Sequence, residues 1–330
     1  MADTKLYDNF GRPMEYMRLA VTDRCNLRCF YCMPPEGVEF VPRKDLLSYE
    51  DMLRLTRIMV EMGVNKVRIT GGEPFVRKNM YGFLKRLAKI EGLEKINITT
   101  NGAVANRHIP FLKDIGIDSI NLSLDTLDRA KYKEITHRDF FNQAMSTYKA
   151  VLDAGMKLKV NMVVMADKNI DDITPMAMLT KEDPVAIRYI EEMPFNGVGG
   201  RDVASMPHDQ ILNHLQSNLP PLTRIQDEEN STSANYSIEG HKGTVGVIAG
   251  WSRTFCNSCN RIRVTATGQM INCLYDKGSL DLKHMLSDGS SDAMIKDAIA
   301  IAYKKKFKNG LEAEKQRFAN ITESMSRIGG

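Results

Sequence analysis

The 330-residue chain has no apolar run long enough to form a membrane helix, which needs about 20 such residues, and its start, MADTKLYDNF, has no apolar signal core. An excess of one charge is also missing, since 45 basic residues stand against 41 acidic ones. These absences predict a cytoplasmic protein without a membrane or nucleic-acid surface, in which an anionic ligand needs a local cationic cluster. The lysine-rich stretch 304–308 is interpreted as a solvated helix face without a function.

Cysteine is scarce as well, and none of the six lies outside two groups of three: Cys25, Cys29 and Cys32, then Cys256, Cys259 and Cys273. Disulfide frameworks are typical of short secreted chains, whereas this chain is long and begins without a secretory signal. We therefore expect metal or redox chemistry in a reducing compartment.

Between residues 17 and 193, short apolar or β-branched runs alternate with helical patterns, as in repeated βα units. Helices are predicted between Ser48 and Gly63 and between residue 140 and Gly155, and strands at 17–22, 66–70, 95–99, 119–123, 157–164 and 186–190. Polar or glycine-rich stretches, such as GGEP and TTNG, follow the strands. Because the carboxyl ends of barrel strands share one face, we predict an α/β fold with an incomplete (βα)6 barrel over residues 1–200.

The βα pattern ends after Met193, where FNGVGG and the polar stretch 219–235 are predicted to be loops. Short strands are predicted beyond them, at 243–248, 261–265 and 269–273. We therefore expect a smaller α+β domain over residues 201–330, which carries the second cysteine group and closes the barrel opening.

The first cysteine group has the spacing C-x3-C-x2-C, and three such thiolates suit zinc or an iron–sulfur cluster. Zinc is the weaker interpretation, because structural zinc sites usually have four ligands and no histidine lies within ten residues of Cys32. A four-iron cluster on three cysteines would leave one iron open. With GGEP after the next strand, the loop resembles the radical S-adenosylmethionine superfamily, which implies a 4Fe-4S cluster on these cysteines and S-adenosylmethionine as cofactor.

That resemblance also implies contacts with S-adenosylmethionine. Gly72 would let the backbone approach the ligand closely, and Glu73 would offer a carboxylate to its ammonium group. Tyr31 lies between two cluster ligands, where the superfamily has an aromatic residue near the adenine. Ser123 in NLSLD and Met193 in EEMP match positions that contact this cofactor in the resembled family.

The second cysteine group, C-x2-C-x13-C, also has three thiols and lacks the second C-x2-C pair of a zinc ribbon. A second 4Fe-4S cluster is therefore favoured over zinc. Arg261 and Arg263 alternate just after Cys259, so both would face one side of a strand. Guanidinium groups there suit phosphate oxygens, and we expect a polyphosphate beside the open iron.

Motifs from residue 16 onward, including YMRLAVTDRCNLRCFYCMP, FCNSCNRIRVTATG and the terminal GG, together resemble the molybdenum cofactor biosynthesis protein A family. The resemblance implies a lyase that converts GTP to (8S)-3′,8-cyclo-7,8-dihydroguanosine 5′-triphosphate, using a 5′-deoxyadenosyl radical to remove the ribose 3′ hydrogen. The second cluster would bind guanine, and a tail of Gly329 and Gly330 would reach the active site and serve cyclisation. One departure is Trp251, where the family commonly has histidine or serine. The implied GTP-binding positions are Arg18, Arg68, Thr99, Lys159, Arg261, Ile262 and Arg263.

The family also implies partners: GTP as substrate, an electron donor, and cyclic pyranopterin monophosphate synthase as the next pathway enzyme; a homodimer is one expected assembly. Two alternatives stay open. A radical enzyme that modifies a peptide or RNA would use the second cluster as an auxiliary one, although such peptide modifiers usually have more C-terminal cysteines. A non-enzymatic electron carrier would prefer fully ligated clusters and would not need GGEP.

Overall fold

The computed structural model describes residues 5–195, 205–316 and 324–329. The strands in these ranges are Tyr16–Ala20 (β1), Lys66–Thr70 (β2), Lys95–Thr100 (β3), Ser119–Ser123 (β4), Lys157–Val164 (β5), Val185–Glu191 (β6), Leu222–Arg224 (β7), Ala234–Ile238 (β8), Thr244–Ile248 (β9), Arg261–Val264 (β10), Gln269–Ile271 (β11) and Leu280–Asp281 (β12). The α-helices are Tyr49–Glu61 (α1), Met80–Leu87 (α2), Ile109–Asp114 (α3), Arg129–Thr136 (α4), Phe141–Asp153 (α5), Ile173–Glu182 (α6), His208–Asn218 (α7), Leu282–Ser287 (α8), Asp292–Lys304 (α9), Gly310–Lys315 (α10) and Met325–Ile328 (α11).

Strands β1 to β6 lie side by side in chain order and run parallel, which confirms the predicted α/β fold with six βα units. The helices between them cover the sheet, as a parallel sheet requires. Helix α1 shows how the sequence fixes such a unit. Its Ser48 hydroxyl accepts a hydrogen bond from the Asp51 N–H, and the Asp51 carboxylate accepts one from the Ser48 N–H. This capping box starts the helix where it was predicted to start, and the apolar face, which includes Met52 and Leu55, is buried against the sheet.

The C-terminal strands extend the same sheet at both edges. Strand β10 pairs in parallel with β1, which places Arg261 opposite Tyr16 and Arg263 opposite Arg18. At the other edge β9 pairs in parallel with β6, and β8 and β7 follow it in antiparallel order. The twelve strands therefore have the order β12-β11-β10-β1-β2-β3-β4-β5-β6-β9-β8-β7. The C-terminal part thus shares main-chain hydrogen bonds with the barrel.

The prediction of a continuous loop over residues 219–235 is wrong, because β7 and the start of β8 lie within it. Strand β7 is three residues long, follows two prolines and forms the edge of the sheet. Short edge strands often have prolines and polar residues, so the alternation that marks a buried strand is missing there. None of the described helices is both long and apolar enough to cross a membrane.

Candidate active site

The two cysteine groups lie at opposite ends of one cavity of about 730 Å³, which runs along the inside of the barrel and is lined by all six cysteines. Cys25, Cys29 and Cys32 follow the carboxyl end of β1. Cys256 and Cys259 precede the amino end of β10, which is level with the amino end of β1. The five residues of β1 span roughly 16 Å. The strand pairing therefore separates the two groups by about the length of β1.

The first cysteine loop is held by its own backbone. The N–H groups of Cys32 and Met33 both donate to the Cys29 carbonyl, at 2.8 and 3.0 Å. Cys25 Sγ accepts from the Leu27 N–H at 3.4 Å and from Asn101 Nδ2 at 3.7 Å. Burial raises the pKa of Cys25 to about 12, and it also raises the pKa values of Cys29 and Cys32. Such thiols ionise only with a positive partner, which fits an iron–sulfur cluster.

Among residues 5–195, 205–316 and 324–329, no three His, Cys, Asp or Glu side chains are arranged to hold a single metal ion. A four-iron cluster keeps its cysteine sulfurs farther apart than a single ion does, because iron and sulfide lie between them. The fit of both cysteine groups to such a cluster therefore rests on ligand type and on their position in the cavity.

Four of the five residues expected to contact S-adenosylmethionine line the cavity: Gly72, Tyr31, Ser123 and Met193. The Tyr31 hydroxyl donates to Asp125 at 2.8 Å, and Asp125 also accepts from the Val163 N–H at 2.8 Å. These bonds connect the cysteine loop to β4 and β5. Asp125 was not predicted from the sequence, although it follows Ser123 in the same motif.

The glycine pair of GGEP packs against the backbone next to the cysteine loop. A Cβ on Gly72 would lie 2.2 Å from the Arg24 carbonyl oxygen, and one on Gly71 would lie 2.4 Å from the Thr22 carbonyl oxygen. The Gly72 N–H donates to the Thr22 carbonyl at 2.7 Å. The close approach made possible by these glycines is therefore first of all an approach of one loop to the other.

Glu73, the fifth residue, does not line the cavity and is fully buried. Its carboxylate accepts from the Phe75 N–H at 3.1 Å, the Thr100 hydroxyl at 2.9 Å and the Asn101 N–H at 2.7 Å. Burial raises the pKa of Glu73 to about 7 in spite of these bonds. In the structure this carboxylate joins the turn after β2 to the end of β3.

The second cysteine group lies among positive charges. Arg261 Nη2 donates to Cys259 Sγ at 3.4 Å. Burial alone would raise the pKa of Cys259, but the positive charges of Arg261 and Lys306 lower it to about 6. Burial raises the pKa of Cys273 to about 11. Of these two thiols, Cys259 therefore ionises more easily than Cys273.

Lys306 corrects the interpretation of the lysine-rich stretch. Lys304, Lys305 and Lys308 are exposed as predicted, but only 3% of Lys306 is exposed, and its Nζ donates to the Arg261 carbonyl at 2.6 Å. Burial lowers the pKa of Lys306. The burial of Lys306 could not be predicted from its sequence neighbours, because Lys306 follows the end of α9 and is buried only by its tertiary contacts.

A group of cations lines the cavity between the cysteine groups: Arg18, Arg68, Lys159, Arg188, Arg261 and Arg263. Burial and the charges of neighbouring arginines lower the pKa of Lys159 to about 8 and those of Arg188 and Arg263 to about 10. The Nε atoms of Arg18, Arg188 and Arg261 have no hydrogen-bond partner in the described part of the chain. Crowded, incompletely paired cations in a buried channel are arranged for a multiply charged anion.

Three further side chains were predicted, or could have been predicted, to lie with these cations on the cavity wall. Arg188 was missed, although the alternating pattern of VAIRYIE predicts that it shares a face with Ala186. Thr99 lines the cavity and its hydroxyl accepts from Arg68 Nη1 at 3.5 Å. Ile262 does not line the cavity, since its side chain is fully buried in the hydrophobic core.

The carboxy-terminal tail reaches the barrel. The Ser324 hydroxyl donates to the Cys32 carbonyl at 2.8 Å, and Met325 and Ser326 line the cavity. Gly329 has a φ of +74°, and a Cβ there would lie 3.2 Å from both Ala20 Cβ and Thr70 Oγ1. This places Gly329 beside the carboxyl ends of β1 and β2, while Gly330 lies outside the described residues.

Comparison with known proteins agrees with this geometry. The family model "Radical SAM superfamily" matches residues 19–179 and "Molybdenum Cofactor Synthesis C" matches residues 185–311. The fold and the cysteine loop therefore define a radical S-adenosylmethionine protein. SuiB from Streptococcus suis has a similar fold, with a TM-score of 0.63 at 13% identity over 91% of this chain and 68% of that one.

Relatives narrow the class. The chain is 39% identical to the mitochondrial GTP 3′,8-cyclase of Arabidopsis thaliana over 91% of its own length and 77% of that protein. It is 37% identical to the GTP 3′,8-cyclase of Moorella thermoacetica over 98% of its length and 100% of that protein. The chain belongs to the GTP 3′,8-cyclase family, as the resemblance predicted. It is also 39% identical to molybdenum cofactor biosynthesis protein 1 of Bos taurus, of which it spans about half, 48%.

Proposed function

We propose that this chain is a lyase of molybdenum cofactor biosynthesis that converts GTP to (8S)-3′,8-cyclo-7,8-dihydroguanosine 5′-triphosphate. The observation that carries the proposal is the single barrel cavity with a cysteine group at each end and cations between them. The relatives from Arabidopsis thaliana and Moorella thermoacetica bear the name of this activity. One cavity of this length can hold a cofactor at the first group and a nucleotide that extends toward the second.

The first cysteine group is the place for the radical chemistry. Cys25, Cys29 and Cys32 would hold a 4Fe-4S cluster with one open iron. With S-adenosylmethionine bound and one electron received from a donor, that cluster would supply reductive cleavage of the sulfur–C5′ bond, which leaves methionine and a 5′-deoxyadenosyl radical able to take the ribose 3′ hydrogen of GTP. The cavity-lining residues around the cysteines have the task of binding and orienting the cofactor: Tyr31, Gly72, Ser123 and Met193. Glu73 would act indirectly, by holding the loop after β2.

The second cysteine group would hold a second 4Fe-4S cluster whose open iron faces the guanine. Support comes from the position of Cys256, Cys259 and Cys273 on the cavity wall and from the lowered pKa of Cys259, which favours the thiolate that a metal needs. Arg261 and Arg263 follow directly on β10 and line the same wall. They would contact the nucleotide next to this cluster, while the side chain of Ile262 would stabilise the strand from the core.

The triphosphate would lie among Arg18, Arg68, Lys159 and Arg188, which come from four different strands of the barrel. Burial and, after it, the charges of neighbouring arginines lower the pKa values of Lys159 and Arg188, which supports a place for an anion among these cations. Thr99 would add a hydroxyl beside Arg68. The negative charge of GTP would therefore offset the repulsion among these cations.

The remaining parts of the proposal concern the tail, the units of the chain and its partners. Gly329 and Gly330 would enter the active site and serve cyclisation, with Gly329 positioned by its contact to β10. Residues 1–200 would form the radical S-adenosylmethionine barrel with the first cluster and the triphosphate contacts, and residues 201–330 would carry the second cluster with the substrate-binding residues of β10. The proposal includes a cytoplasmic location, an electron donor for the first cluster, delivery of product to a cyclic pyranopterin monophosphate synthase, and assembly as a homodimer.

Anaerobic incubation of the reconstituted protein with dithionite, S-adenosylmethionine and GTP, followed by mass spectrometry, tests the activity. We expect 5′-deoxyadenosine and a cyclic GTP-derived triphosphate, and a Cys25→Ala variant should form neither. Absence of 5′-deoxyadenosine from the wild-type reaction would contradict the radical chemistry. Formation of 5′-deoxyadenosine without a cyclic nucleotide would contradict the substrate alone.

A further inference from the structure

Lys306 is a buried lysine that the proposed chemistry leaves without a role. Its Nζ donates to the Arg261 carbonyl at 2.6 Å and lies 5.1 Å from the centre of the Tyr303 ring. No carboxylate in the described ranges forms an ion pair with it. A buried ammonium group without a carboxylate is costly, so another negative charge is needed nearby. The thiols of Cys259 and Cys273 lie close enough to stabilise its charge once they are ionised.

The chain around Lys306 contacts the rest of the second cysteine group as well. Asn272, which precedes Cys273, donates from Nδ2 to the Ala302 carbonyl at the end of α9, at 2.8 Å. The Lys306 N–H donates to the Tyr303 carbonyl at 3.0 Å, which turns the chain back toward β10. The end of α9 therefore contacts the segments that carry both Cys259 and Cys273.

Arg12 connects the same region to Cys256. It is 4% exposed, and its Nη1 donates to the Cys256 carbonyl at 3.0 Å and to the Lys308 carbonyl at 2.9 Å. Its Nη2 donates to the Phe307 carbonyl at 2.7 Å. Segment 302–308 is thus bound near each of the three cysteines: through Arg12 to the Cys256 carbonyl, through Lys306 to the Arg261 carbonyl and through the Ala302 carbonyl to the side chain of Asn272.

We infer that Lys306 is a positioning residue for the second cysteine group. Its hydrogen bond fixes the Arg261 carbonyl at the start of β10, two residues beyond Cys259, and its charge would offset that of the ligating thiolates. The inference rests on the second cluster of the proposed function. A 4Fe-4S core on three thiolates carries a net negative charge, so a buried cation beside it stabilises the loaded state more than the metal-free state.

Replacing Lys306 should affect the second cluster and not the first. Side chains that support metal ligands without binding the metal typically change metal affinity by about 10- to 100-fold when they are replaced. Loss of the Lys306 charge should therefore weaken the second cluster and leave the first intact, because Cys25, Cys29 and Cys32 lie at the other end of the barrel. An exposed lysine of the same stretch, Lys304, provides a matched control.

The test compares the wild-type chain with Lys306→Met, Lys306→Gln, Lys306→Arg and Lys304→Met after anaerobic reconstitution. Iron per chain and the rate of iron release to a chelator are measured, and 5′-deoxyadenosine formation reports separately on the first cluster. We expect about eight irons in the wild-type chain. In Lys306→Met the second set of about four irons should leave about tenfold faster. Lys304→Met and Lys306→Arg should release iron at the wild-type rate, and 5′-deoxyadenosine formation should persist in all variants.

If Lys306→Met released iron at the wild-type rate, or if Lys304→Met released iron as fast as Lys306→Met, the role of Lys306 would be overturned. The proposed function would stand in either case. A wild-type chain with only about four irons would overturn the second cluster itself, and the inference with it. If circular dichroism shows that Lys306→Met does not fold, the comparison of Lys306→Gln with Lys306→Arg decides. Gln keeps an N–H donor for the Arg261 carbonyl but no charge, so equal release from these two variants would overturn the inference.

Discussion

Arg263 donates a hydrogen bond from Nη1 to the carbonyl oxygen of Gly329 at 2.7 Å, and this bond fastens the carboxy-terminal tail to the strand that follows the second cysteine group. Arg263 is opposite Arg18 in the pairing of β10 with β1, so the tail lies next to the proposed nucleotide channel. One arginine therefore connects the substrate wall with the tail.

Gly329→Ala should separate cyclisation from cofactor cleavage. Gly329 has a φ of +74°, where an L-residue costs roughly 1–2 kcal/mol, and the new Cβ would crowd Ala20 and Thr70. We expect the yield of cyclic nucleotide to fall about tenfold while 5′-deoxyadenosine still forms. Mass spectrometry of both products gives the ratio.

Gly289→Ala is the control for this variant, since Gly289 has a φ of +87° and no atom lies within 4 Å of the added Cβ. It carries comparable backbone strain away from the site. If Gly329→Ala formed cyclic nucleotide and 5′-deoxyadenosine in the wild-type ratio, cyclisation would not depend on the position of Gly329 beside β1, β2 and Arg263.

Binding of GTP should weaken as the pH rises past 8. Burial and the charges of Arg188 and Arg68 lower the pKa of Lys159 to about 8, so Lys159 loses its proton above this pH and the channel loses a cation. If Lys159 stays protonated in the complex with GTP, the affinity for GTP falls by up to about tenfold for each pH unit above 8. Isothermal titration calorimetry between pH 6.5 and 9.5 measures this slope.

Two variants isolate the contribution of Lys159. Lys159→Arg keeps the charge at every pH tested and should reduce the slope. Tyr16 also ionises in this range: burial alone would raise its pKa, but Arg68, Arg18 and Lys66 lower it to about 8. Tyr16→Phe should therefore also reduce the pH dependence of GTP binding. An unchanged slope in Lys159→Arg would exclude Lys159 as its source.

The strands and the first helix could be predicted from the sequence because their signals are local. Buried parallel strands are short β-branched runs, and the Ser48 capping box fixes the start of α1 without help from the rest of the fold. The cysteine loop and GGEP could be recognised for the same reason. Each of these features is complete within about 20 residues.

The features that were missed depend on contacts between distant segments. Lys306 is buried against Tyr303 of α9 and against β10, so the exposed lysines around it indicate the wrong environment. The separation of the two cysteine groups follows from the pairing of β10 with β1, more than 240 positions apart in the chain. Two of the missed residues did have a local signal: Arg188 through its inward place in the alternation of β6, and Asp125 through its place in the motif of Ser123.

Glu73→Gln should destabilise the metal-free protein by about 1–3 kcal/mol, because an amide cannot accept from all three donors of the carboxylate. Urea denaturation measures the loss, and Glu91→Gln, on an exposed turn, is the control. Burial raises the pKa of folded Glu73 to about 7, above its ordinary value. The stability this group contributes is therefore full at acidic pH and lost as the pH rises through about 7, a dependence absent from the variant. Equal stability of the two proteins at about pH 5, where the contribution of Glu73 is still present, would contradict the three-donor arrangement.

Cys273→Ala should abolish cyclisation while sparing reductive cleavage of S-adenosylmethionine, because Cys273 lies at the opposite end of the cavity from the first cysteine group. The variant should hold about four irons instead of about eight. Cys32→Ala is the reciprocal change and should abolish both reactions. Iron analysis and mass spectrometry of 5′-deoxyadenosine and the cyclic nucleotide distinguish these patterns. If Cys273→Ala lost both reactions to the same degree, the two groups would act as one unit, and the division of radical formation and substrate binding between the barrel ends would be wrong.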